Sequence, residues 1–137
     1  VKTTLVRAAH FSCGYAYRLN GQTPEQNKID YGTLSEAEGF GRNFRFEASF
    51  SGPVDPLSGM ILNLSLVDQW LKLVVQALDH RFLSTDLEYF KDIAPTPENI
   101  LRYIFNEIEK QVVIPQVILT KVRLFESDER WLDYSNS

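Results

Sequence analysis

Two groupings in this chain have residue types and spacing suited to chemistry on a bound molecule. One is Asp79-His80. An aspartate beside an imidazole can accept its N–H, fix the tautomer and raise the ring's basicity. A histidine titrating near neutral pH suits proton transfer. A solvated helix terminus accounts for the same dipeptide with no chemistry. The other is Glu126, which follows the apolar pair Leu124-Phe125 and precedes Ser127-Asp128. A carboxylate at a strand end can grip a paired N–H donor, such as the amino-pyrimidinone edge of a pterin or guanine. A merely hydrated acid fits there too. The remaining candidates have plainer readings. Thr96-Pro97-Glu98-Asn99 is explained by helix capping. His10 stands just past the first strand among aromatics, where a lone histidine is more often structural than a ligand. Cys13 reads as a small, partly buried residue with nothing to depress its thiol pKa. Glu36-Ala37-Glu38 reads as loop charge.

These groups must be carried by regular elements. Residues 2–9 are rich in Thr, Leu and Val and read as a first strand ending just before His10. Residues 17–38 hold Asn, Gly, Pro, Gln and Ser, and read as one long excursion with a short helical turn at Pro24-Glu25-Gln26-Asn27. A loop of that length in a small domain is more often functional than idle. Gly39-Phe40-Gly41-Arg42 then leads into the clearest strand, 43–51. There Phe44, Phe46, Ala48 and Phe50 alternate with Arg45, Glu47 and Ser49, the period of two that a half-buried strand requires. Residues 52–59 are a turn cluster, and 60–63 a short extended piece. Ser65 reads as the N-cap of a helix running to Leu78, with Leu66, Val67, Trp70, Leu71, Val74 and Leu78 on one apolar face. Residues 81–94 are irregular. A second helix starts at Thr96 and buries Ile100, Leu101, Ile104, Phe105 and Ile108. Residues 112–125 read as a long strand with Pro115 at its start or on an edge, and 131–134 as a short last strand. The order strand, strand, helix, helix, strand, strand predicts an α+β domain. Two helices would cover one face of a four-stranded antiparallel sheet, leaving sheet edges that self-assembly can cover.

A chain of 137 residues is one domain by length. Its net charge of −4 argues against a nucleic-acid partner, which calls for clustered Lys and Arg. No apolar run is long enough to span a bilayer. The opening residues are too polar for a signal peptide, and the single cysteine suits a reducing cytoplasm. Only two histidines are present, too few for a three-histidine metal site within one chain.

In combination, these segments resemble the 6-pyruvoyltetrahydropterin synthase family, which includes the 6-carboxytetrahydropterin synthases of the queuosine pathway. The resemblance rests on Ala8-Ala9-His10, on Glu25-Gln26-Asn27 with Tyr31-Gly32, and on Asn43-Phe44. It continues through Asp55-Pro56 with Gly59-Met60-Ile61-Leu62-Asn63-Leu64, then Leu78-Asp79-His80, Pro95-Thr96-Pro97-Glu98-Asn99 and Phe125-Glu126-Ser127-Asp128. It implies the tunnelling fold assembled around an axis into a barrel, hence a homo-oligomer, trimer or hexamer. It implies a dihydropterin ligand anchored by Glu126 with Thr96 and Glu98 nearby, and proton transfer by Asp79 and His80.

The family holds zinc with three histidines, two of them in a His-Gly-His. That pair reads Phe40-Gly41-Arg42 here, leaving His10 as the one ligand position matched. No zinc or other cofactor is therefore expected. Counting from the flanking glycines, the family's catalytic cysteine falls at Leu34; a shorter spacing places Glu36 there. Three functions follow: a pterin-binding homologue without the zinc-dependent lyase reaction; a metal-independent enzyme on a dihydroneopterin-type substrate, with Arg42 supplying the lost charge and Glu36 or His80 the base; or a non-catalytic subunit beside an active paralogue.

Overall fold

Alternation builds the sheet. Along β2 (Phe40–Gly52), Phe44, Phe46, Ala48 and Phe50 are buried while Arg45 and Glu47 are half-exposed on the other face. Each buried phenylalanine contributes about 2–3 kcal/mol, and a slip of one residue would turn the whole row to solvent. β1 (Thr3–Tyr15) runs antiparallel to β2, pairing His10 with Arg45, Cys13 with Arg42 and Tyr15 with Phe40. β3 (Ile118–Ser127) and β4 (Arg130–Ser135) complete a sheet of order β1-β2-β3-β4. The computed structural model describes residues 2–35 and 39–135. Glu36, expected to be catalytic, lies outside the described residues together with Ala37 and Glu38.

Two fifteen-residue helices, α2 (Leu64–Leu78) and α4 (Pro97–Gln111), cover one face of the sheet. Val67, Trp70, Leu71, Val74 and Leu78 of α2 meet Ile100, Leu101, Ile104, Phe105 and Ile108 of α4 and the phenylalanines of β2 in one core. The α+β architecture expected from the order of elements is the one found. Two short helices, α1 (Pro24–Tyr31) and α3 (Leu83–Asp86), lie in the connections.

Several boundaries differ from expectation, each for a local reason. The first strand continues past His10 to Tyr15, because Phe11, Cys13 and Tyr15 carry the inward alternation onward. The excursion after it is pinned by buried Asn27, whose amide accepts from Leu19 N (3.0 Å) and donates to Leu19 O (3.2 Å). The cap of α2 is Asn63, not Ser65: Asn63 Oδ1 accepts from Ser65 N at 2.9 Å. The stretch 60–63 bends instead of extending, held where Asp55 N donates to Met60 O at 2.9 Å. Residues 112–117 are not strand, since Pro115 donates no amide and Gln116 takes a left-handed φ of 70°. Within 81–94, α3 and a 3-10 turn (Glu88–Phe90) supply regular structure.

Candidate functional site

β3 delivers Glu126 through a bulge. The β3–β4 register shifts between Phe125, opposite Trp131, and Ser127, opposite Arg130. Glu126 is therefore the extra residue, and bulges often re-aim a side chain in this way. Its side chain is only 5% exposed, on the sheet face that carries the helices. The N-terminus of α4 lies beside it: Thr96 Oγ1 caps that helix by accepting from Asn99 N at 3.3 Å. A cleft of about 440 Å³ opens there, lined by Tyr17, Tyr31, Thr96, Glu98, Glu126 and Arg130 among others. Glu126, Thr96 and Glu98, predicted as substrate-binding residues, are thus brought together.

Tyr17, Tyr31 and Arg130 were missed. The tyrosines are the aromatics of an otherwise polar excursion, and Arg130 stands four residues from an acid across a turn; both were available signals. Tyr17 and Tyr31 pack with ring centroids 6.4 Å apart. Burial first, then the neighbouring Tyr15 and Glu126, push the Tyr17 hydroxyl up to about 12. It is a neutral donor at ordinary pH. Burial and then Asp30 also raise Tyr31. Arg130 Nη2 donates to Glu126 Oε2 at 2.7 Å.

His80, without Asp79, lines a separate depression of about 460 Å³ together with Cys13, Arg42 and Phe82 among others. Asp79 caps α2, and its Oδ1 accepts from Ser12 N at 2.8 Å while His80 N donates to Ser12 O at 2.6 Å. This clasp on the β1 edge holds His80 at a left-handed φ of 61°, an uncommon state for a non-glycine residue. His80 Nε2 lies 3.5 Å from Asp79 Oδ2, with the ring 84% exposed. The clasp also sets Phe82 against Gly39, where a Cβ would come within 2.6 Å of its ring. Burial, then Asp79, push the Cys13 thiol up to about 12, so it is no nucleophile at neutral pH. A larger hollow of about 510 Å³ beside α1, walled by Leu19, Gln22 and Asn27, contains none of the expected residues among those described; size does not select the site.

Arg42 joins the two openings. Its Nε donates to Tyr15 Oη at 3.1 Å and its Nη1 to Glu126 O at 3.2 Å. The bond to Tyr15, ahead of the desolvation that opposes it, holds the guanidinium above its ordinary range.

The register also corrects one expectation. Phe40 and Arg42 point to the helix side of β2, opposite Tyr15 and Cys13, whereas His10 pairs with Arg45 on the other face. His10 is therefore not in their group; the residue that faces them is Tyr15. A hydrocarbon ring and a cation offer no lone pair to zinc, so the residues Tyr15, Phe40 and Arg42 do not fit that ion.

Comparison with known proteins finds relatives along nearly the whole chain. The family model described as 6-pyruvoyl tetrahydropterin synthase matches residues 4–137. The 6-pyruvoyl tetrahydrobiopterin synthase of Pongo abelii is 32% identical over 129 residues, covering 93% of this chain and 88% of that one. The Homo sapiens protein of the same name is 30% identical with the same coverage. The solved structure of the Caenorhabditis elegans 6-pyruvoyl tetrahydropterin synthase superimposes with a TM-score of 0.90 at 29% identity, covering 100% of this chain and 97% of that chain.

Proposed function

The chain belongs to the 6-pyruvoyl tetrahydropterin synthase family, and we propose that it binds a pterin at Glu126 without carrying out a zinc-dependent lyase step. The observation that carries this reading is the buried Glu126 carboxylate, turned by a bulge into a cleft walled by Tyr17 and Tyr31. A flat heterocycle fits between aromatic walls. Its neighbouring N–H donors suit the two oxygens of one carboxylate, a charge-assisted pair. Thr96 and Glu98 add an oxygen and a second carboxylate at the rim. Phe40 and Arg42, at the two positions of the family's His-Gly-His pair, and Tyr15 facing them support the second half, since these residues do not fit zinc.

The test is a titration of neopterin into the wild type and into Glu126→Gln. Binding weakened about 30- to 150-fold in the variant is expected, since a buried charge-assisted contact is worth about 2–3 kcal/mol. Equal affinity in the two proteins would remove the assignment.

Arg42 supports a second reading, a metal-independent enzyme on a dihydroneopterin-type substrate. Its guanidinium links the Glu126 cleft to the His80 depression, where it could stabilise developing negative charge with His80 as base. Turnover of dihydroneopterin that survives a chelator and disappears in Arg42→Ala is the expected signature. Self-association belongs to the same reading, because β4 is a sheet edge with no strand beside it among the described residues.

A further inference from the structure

Glu126, the carboxylate assigned above to the ligand, already holds a guest. Arg130 Nη2 donates to its Oε2 at 2.7 Å, and Arg130 lines the same cleft. The two partners are unlike: the Glu126 side chain is 5% exposed and that of Arg130 67%. Among the described residues, Oε1 accepts no hydrogen bond from a side chain or the backbone. The contact is therefore one-pronged, on a carboxylate that can accept from two donors side by side.

The chemistry of the guest matches that of the proposed ligand. A guanidinium carries N–H donors side by side in one plane. So does the amino-pyrimidinone edge of a pterin, with its ring N–H beside the 2-amino group. We propose that Arg130 is a seated internal competitor, whose guanidinium stands on Glu126 in place of the ligand's amino edge and must leave for a two-donor heterocycle to bind. The proposal rests on the pterin reading and adds the residue that sets its affinity and selectivity.

Displacement is feasible because Arg130 is mostly in water, where its released charge is rehydrated. It is not free, because the buried carboxylate loses a charge-assisted hydrogen bond. A ligand with two donors recovers that loss by filling both oxygens. A ligand with one donor gains nothing by expelling Arg130; it uses Oε1 and leaves the guanidinium seated. Apparent affinity for a two-donor ligand is lowered by the fraction of molecules in which the seat is free.

The experiment compares neopterin, which has the 2-amino group, with lumazine, which has a carbonyl there. Both are titrated into the wild type, Arg130→Ala, Arg130→Gln and Glu126→Gln. Arg130→Ala should bind neopterin about tenfold tighter than the wild type, as expected if the seat is filled about nine-tenths of the time. Its lumazine affinity should stay within about twofold. Arg130→Gln, which keeps an amide donor without the charge, should fall between wild type and Arg130→Ala for neopterin. Unchanged or weaker neopterin binding in Arg130→Ala overturns the competitor, as does equal tightening for lumazine. Wild-type binding that depends on Glu126 keeps the pterin reading whichever way Arg130 falls. Absence of neopterin binding in the wild type and both Arg130 variants overturns the pterin reading and the competitor with it.

Discussion

The two ends of the site differ in what they have kept. At the β3–α4 end, Glu126, Thr96 and Glu98 converge on one cleft, and their chemistry is that of recognition: acceptors beside aromatic walls. At the β1–β2 end, a tyrosine, a phenylalanine and an arginine stand together. The Tyr15 and Phe40 rings lie tilted at 35° with centroids 6.0 Å apart, and Arg42 bonds the Tyr15 hydroxyl. That group is internally satisfied and offers a guanidinium outward, not a set of lone pairs. On the proposed reading, holding a flat ring and activating it are separable tasks that fall to opposite ends of the site.

The largest test of that contrast is to rebuild the second end. Converting Tyr15, Phe40 and Arg42 together to histidine should create a zinc site, because register and alternation set all three side chains on one face. Equilibrium dialysis should show the triple variant holding zinc at least about 100-fold more tightly than the double Phe40→His, Arg42→His, since three protein ligands make the usual open zinc site. A double variant as tight as the triple would mean that His10 reaches the site after all, and the contrast in its present form would fail.

That test turns on what was legible in the residues. The core was readable: the even-numbered phenylalanines of β2 and both helix faces appear where the periodicities put them, since burial enforces period. Glu126, Thr96 and Glu98 were readable as neighbours through the resemblance. The His10 assignment came from a short tripeptide likeness at the expected end of a strand. Only the true length of β1 shows that the alternation runs on to Tyr15, which a local pattern cannot count. The bulge at Glu126 was likewise hidden, since a bulge is a property of two strands and not of one.

A smaller effect tests whether the two ends communicate. Arg42→Ala removes donors from Tyr15 Oη and from the carbonyl of Glu126. At about 1 kcal/mol for each hydrogen bond, thermal unfolding should show about 1–2 kcal/mol of lost stability. Neopterin affinity should drop several-fold as the Glu126 backbone loosens. Arg42→Lys should restore little, because an ammonium cannot span two acceptors as the planar fork does. Full affinity in Arg42→Ala would make the ends independent. Smaller again, and confined to the recognition end, Thr96→Ala should cost about 1 kcal/mol in a denaturant titration by uncapping α4. Loss of much more than this would show that Thr96 supports the cleft beyond its capping bond to Asn99.

The smallest effect is a silence followed by a late response. Tyr17 ionises at about 12, chiefly because it is buried, against an ordinary value near 10. A raised tyrosine pKa favours the neutral form in the folded state. Its contribution to stability is therefore complete below about pH 10 and is lost as pH rises through about 12. At neutral pH the recognition end should therefore show no dependence on Tyr17 ionisation. Alkaline absorbance titration of the wild type minus Tyr17→Phe should give a difference curve with its midpoint near 12. A midpoint near 10 would place the Tyr17 hydroxyl in bulk water. The aromatic wall would then be open to solvent, and the recognition end would lose the partly desolvated face proposed to hold a flat ring.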